Sequence, residues 1–272
     1  MLAEPGIPLL HTSGGATPDW GGAARAGGAG RTGGRRPRGL SLRWIALALC
    51  ALPLAANGYE EVAVSGGGNV EGRVVYDGIV PLKKIIPTKD QEVCGSPRDE
   101  PQILVGPDKQ VQDAVVYLRD VSKGKPWGTP DKTPVLDNKN CRFEPPVQVI
   151  RAGAIDLHNS DPVLHNTHGF YGRRTAFNVA LPDKGAMATR ELPRPGMVRV
   201  ECDAHGWMLA HVFVAESPYY ALTGTDGRFS IAGVPPGSYM LVASQHYAGD
   251  TETPVTVRGG ETQTLEIKLK SR

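Results

Sequence analysis

Residues 200–208 read Val200-Glu201-Cys202-Asp203-Ala204-His205-Gly206-Trp207-Met208, and they close a β-branched run, Val198–Glu201, that alternates like a strand. The spacing C-x2-H-x2-M puts a thiolate, an imidazole and a thioether into one short loop. A thiolate and an imidazole at that reach form a corner for a soft or borderline metal, and a thioether suits copper better than zinc. A second imidazole must come from elsewhere. The stretch Leu157-His158-Asn159-Ser160-Asp161-Pro162-Val163-Leu164-His165-Asn166-Thr167-His168 offers His165 as its supplier, while His158 reads as a structural strand-end residue.

Outward from this loop the same β texture continues. Short alternating or β-branched runs recur at Gly72–Tyr76, Ala114–Leu118, Val147–Ile150, Leu209–Val214, Phe229–Ile231, Tyr239–Ala243 and Leu265–Leu269, separated by Gly, Pro, Asn and Asp. That spacing predicts an all-β chain of sandwich or barrel type. Asp226-Gly227 and Pro235-Pro236-Gly237 supply tight turns. Four regions follow: a disordered N-terminus with a signal peptide at 1–58, a loop-rich β region at 59–140, a metal domain at 141–216 and a run of hairpins at 217–272.

The formal net charge is +2, and residues 1–58 carry six arginines against Glu4 and Asp19. The remaining body is therefore slightly acidic, which excludes nucleic acid as a partner class. Arginines up to Arg43, an apolar run from Ile45 to Leu54 and small residues to Gly58 read as a signal peptide cleaved near Gly58. The run is too short to span a membrane, which needs about 20 residues, so the expected location is periplasmic or otherwise exported, with no membrane span in the mature chain. Arg35-Arg36 leaves a twin-arginine route open beside the general one. Once Cys50 leaves with the signal, Cys94, Cys141 and Cys202 remain. In an oxidising compartment an odd count gives one thiol a separate task. Cys94 and Cys141, both in turn-like settings, are the expected disulfide, and Cys202 is left over.

Asn159, then His165-Asn166, then the Cys202–Met208 loop after a strand resemble, in that order, the two ligand segments of the plastocyanin-type cupredoxins over roughly residues 141–216. The resemblance implies a Greek-key β-sandwich holding one copper ion at a type 1-like site. By position it implies His165 and His205 as equatorial imidazoles, Cys202 as the thiolate, Met208 as the axial sulfur and Asn159 as a brace. The second loop is short, and His168 and His211 lie near enough in sequence to replace Met208. Trp207 could shield the site, and the edge of His205 is the expected exit for an electron.

Residues Thr225–Leu241, a T-D-G-x-F run ending in P-P-G-x-Y-x-L, resemble the carboxypeptidase regulatory-like (transthyretin-like) β-sandwich. That implies a non-catalytic module, and no H-E-x-x-H zinc-peptidase motif is present. Gly72–Gly78 and Asp113–Leu118 look like opening strands of the same sandwich, so it is expected to be discontinuous, with the metal domain inserted; His246 reads as surface. Three readings of function remain open: single-electron transfer with a redox partner protein, copper handling with a donor or acceptor, and a non-redox structural or interaction module of the cell envelope. A structural zinc corner lacks further ligands at matching spacing. A cysteine nucleophile lacks an oxyanion-hole motif and leaves His165-Asn166 without a task, so no enzyme activity is expected.

Overall fold

A computed structural model describes residues 58–270; the N-terminal segment, the signal-peptide reading and Cys50 lie outside them. The described residues are all-β apart from one helical turn, Gln91–Cys94. Among the described residues no helix is long and apolar enough to cross a membrane.

Two sandwiches are built from an interrupted path. The smaller one pairs the strand Gly68–Tyr76 antiparallel with Arg228–Val234 and parallel with Thr262–Leu269. Its facing sheet runs Tyr220–Leu222, Val115–Arg119, Gly237–Gln245, Gly249–Val257 in spatial order. Two of its strands thus precede the metal region and the rest follow it: the sandwich is discontinuous. Val70, Val74, Leu118, Phe229, Ile231, Leu241 and Ile267 meet between the sheets, as period-two alternation requires of strands with one buried face.

The inserted sandwich has a four-stranded sheet ordered Met187–Leu192, Gly153–Asn159, Val135–Lys139, Arg142–Glu144. Opposite lies a five-stranded sheet ordered Arg174–Leu181, His165–Tyr171, Gly196–Cys202, Leu209–Ala215, Val147–Arg151. It therefore starts at Val135, ahead of Cys141. The strand Val135–Lys139 buries Leu136 and Asn138 alone, and so polar a strand leaves little hydrophobic signal. Ile155, Leu157, Val198, Val200 and Val212 fill the core. A smaller cluster, Val115, Val147, Phe213 and Ala215, joins the two sandwiches, with the rings of Tyr117 and Phe213 at 4.7 Å.

Alternation also aims the candidate ligands. In His165–Tyr171 the inward residues are His165, Thr167 and Gly169; in Gly196–Cys202 they are Val198, Val200 and Cys202. The two strands pair antiparallel with Thr167 opposite Cys202, so His165 and Cys202 emerge at the same end of the core.

Candidate metal centre

Three donor atoms converge at that end. The Nδ1 atoms of His165 and His205 are 3.1 Å apart, and they lie 3.8 and 3.7 Å from the sulfur of Cys202. All three residues are buried. Metal bonds of about 2.0–2.3 Å in a trigonal plane set such donors about 3.5–3.8 Å apart, so the set fits one small ion with little movement. His205 and Met208 come from the turn between Cys202 and Leu209, whose backbone closes through His205 N–H to Cys202 C=O at 3.2 Å and Met208 N–H to His205 C=O at 2.9 Å. Met208 is 3% exposed and packs in the core cluster that contains Cys202.

Each imidazole is held from behind by a carboxylate. His165 Nε2–H donates to Asp161 Oδ2 at 2.9 Å, and His205 Nε2–H donates to Asp90 Oδ2 at 2.9 Å. This fixes the tautomer that turns each Nδ1 lone pair toward Cys202, the usual arrangement for a metal-binding histidine. Asp161 also accepts from the backbone N–H groups of Asn140 at 2.7 Å and Cys141 at 2.8 Å. Asn159 ties the loop: its amide donates to the carbonyls of Val163 and Leu181, both at 2.9 Å, and its oxygen accepts from Asp161 N–H at 2.9 Å.

Burial pushes the Cys202 thiol up, against the Asn166 N–H that donates to its sulfur at 3.3 Å. Burial of this kind disfavours the thiolate unless a cation compensates its charge. Burial also holds His165 below the ordinary imidazole value, outweighing the opposing pull of Asp161. A neutral imidazole is the form that binds a metal.

Cys94 and Cys141 form a disulfide. Its sulfurs and a ring nitrogen of His205 all lie within 4.8 Å of one another, so it packs on the ligand ring. Trp207 covers another side, its ring 5.0 Å from that of His205 and its indole N–H donating to Cys141 C=O at 3.3 Å. His205 is 0% exposed. The expectation of an open histidine edge is corrected here: Asp90 and the helical turn Gln91–Cys94 that follows it close the ring off.

The two alternative ligands lie elsewhere. His168 points outward, where Asp203 and Thr175 bind its two nitrogens, both at 3.1 Å. His211 is buried away from the three donors, and its ring stacks on His246 at 4.7 Å. His246 keeps the surface position expected of it, exposed to solvent with one ring face against His211. Sequence reasoning missed Asp161 and Asp90. The first stands four residues before His165, where a carboxylate partner could have been sought; the second is 115 residues from His205 and leaves no local sign.

His211 carries a pH prediction. Burial, then the neighbouring His246 and Arg199, push it from 6.5 down to about 4. Below 6.5 the unfolded chain binds a proton that the folded chain refuses. Stability is therefore complete above 6.5 and falls as pH drops toward 4, by about 3 kcal/mol in all. Urea midpoints of the metal-free protein should decline across that window, and less so in His211→Gln; equal declines in both would assign the acid sensitivity to other groups.

Comparison with known proteins gives a match to the family model of the carboxypeptidase regulatory-like domain over residues 195–270. The match begins on a strand of the metal sandwich and omits Gly68–Tyr76 and Val115–Arg119, which complete the small sandwich. No curated protein matches. Among solved structures, amicyanin from Paracoccus versutus (Thiobacillus versutus) is similar at 19% identity and a TM-score of 0.29, covering 32% of this chain and 85% of that one. A purple cupredoxin from Nitrosopumilus maritimus aligns at 19% identity and TM-score 0.27, over 30% of this chain and 99% of its own. A Cu-containing nitrite reductase from Thermus scotoductus SA-01 aligns at 16% identity and TM-score 0.28, over 35% of this chain and 25% of its own.

Proposed function

We propose that the chain is an exported, non-enzymatic copper protein that holds one ion through His165, Cys202 and His205, with Met208 as the weak fourth donor, and passes single electrons to a partner protein. One observation carries this reading: both Nε2 atoms are committed to carboxylates, so two Nδ1 lone pairs face each other at 3.1 Å beside a buried sulfur. Two lone pairs converging at that distance repel unless a proton or a metal cation lies between them. A thiolate, two imidazoles and a thioether favour copper among the available cations, and copper in such a site supplies one-electron chemistry. The chain's own contribution is rigidity. Asn159, Asp161 and Asp90 hold the donors in place, and Trp207 and the disulfide keep water from the rings. Export agrees with the Cys94–Cys141 bridge, which persists in oxidising compartments.

Voltammetry of the copper-loaded protein tests transfer against handling. A reversible one-electron wave, with copper content unchanged after repeated cycling, is the expected result. Loss of copper on reduction would favour delivery or sequestration instead.

A further inference from the structure

The closure over His205 is made by a segment foreign to the metal sandwich. Residues 77–114 leave the small sandwich between its strands Gly68–Tyr76 and Val115–Arg119, and this excursion reaches the metal end at few points. Asp90 donates no backbone to either sheet; its carboxylate binds His205 at 2.9 Å while its own carbonyl starts the helical turn, accepting from Cys94 N–H at 2.8 Å. Val93 and Cys94 pack into the metal core. The disulfide then fixes Cys94 to Cys141, whose N–H donates to Asp161, the carboxylate behind His165. One covalent bond thus joins the supports of both imidazoles. Around it Glu100 pairs with Arg98 and with Arg142, each at 2.6 Å, bridging the excursion to the residue after Cys141.

We infer that this excursion is a latch: Asp90 and the Cys94–Cys141 disulfide hold the metal centre shut, so that copper enters and leaves only when the segment around residues 90–94 lifts. This rests on the reading of the centre as a copper site. The latch differs from a second ligand support in its kinetic signature. A lost hydrogen bond behind a ligand weakens binding and speeds release alone, whereas an opened cover speeds both loading and release.

The experiment compares the parent with Asp90→Ala and with Cys94→Ser/Cys141→Ser, serine being chosen so that no freed thiol competes for the metal. Loading is followed by stopped-flow absorbance on mixing with Cu(II), and release by transfer of Cu(I) to excess bicinchoninate. Both rates are expected to rise by about tenfold or more in each variant, with one copper still bound per chain. If the double variant fails to fold, Asp90→Ala decides alone, since it leaves the disulfide intact. Loading at the parental rate in Asp90→Ala, whatever its release, overturns the latch. A parent that takes up no copper at Cys202 would instead remove the site itself, an outcome visible before any rate is compared.

Discussion

Replacing Asp161 by alanine is expected to cost the metal-free protein about 2–6 kcal/mol, because two buried donors lose their acceptor at about 1–3 kcal/mol each. Asp161 is 4% exposed and satisfies three donors: His165 Nε2–H and the N–H groups of Asn140 and Cys141. Those two residues sit at φ 52° in the hairpin turn between Val135–Lys139 and Arg142–Glu144. With the carboxylate gone, the buried His165 Nε2–H and Cys141 N–H lose their acceptor, and the turn loses what holds it left-handed. His165 also becomes free to change tautomer, so copper affinity should fall by about 10–100-fold. Urea unfolding of the metal-free variant and competitive copper titration measure the two effects separately. A stability loss below about 1 kcal/mol would mean that the turn is held by other contacts.

The second large effect lies in the other sandwich, at Gly72. This residue sits in the middle strand of a three-stranded sheet, opposite Phe229 on one side and Leu265 on the other. A β-carbon there would overlap the carbonyl oxygen of Leu265 and stand 2.9 Å from the Phe229 ring. Neither neighbour can retreat: the first is backbone within a ladder and the second is 5% exposed in the core. Gly72→Ala should therefore cost about 3 kcal/mol, the upper part of the usual overpacking range. For a domain of this size that lowers the melting temperature by about 6–12 °C, measurable by calorimetry. An unchanged melting temperature would show that the parallel pairing of Gly68–Tyr76 with Thr262–Leu269 is looser than its register indicates.

Much of the architecture was legible because the signals are local. The alternating run Val198–Glu201 and the apolar run Leu209–Val214 lie inside the strands Gly196–Cys202 and Leu209–Ala215. The turn residues at Asp226-Gly227 fall at a chain reversal, with Gly227 at φ 68°. His165, Cys202 and His205 were nameable because their chemistry is rare and their spacing short. What stayed hidden depends on contacts between distant segments. The strand Val135–Lys139 is polar on one face and buries an asparagine on the other, so its place in the metal sheet follows from pairing with Asp156–Asn159 rather than from hydrophobicity. Asp90 reads as one charge among several in a loop. Its role appears only once the disulfide has drawn Cys94 against the site. The buried place of His211 stays hidden because alternation cannot reveal that His246, from the second sandwich, lies against it.

The most direct test of the central claim is a titration of the protein with Cu(II), followed in the visible spectrum beside Cys202→Ala. The geometry predicts an intense sulfur-to-copper charge-transfer band that saturates at one copper per chain and is absent from the variant. A parent without the band, or a band that survives the loss of Cys202, would contradict the thiolate centre and leave the three converging donors as packing at one end of a β-sandwich.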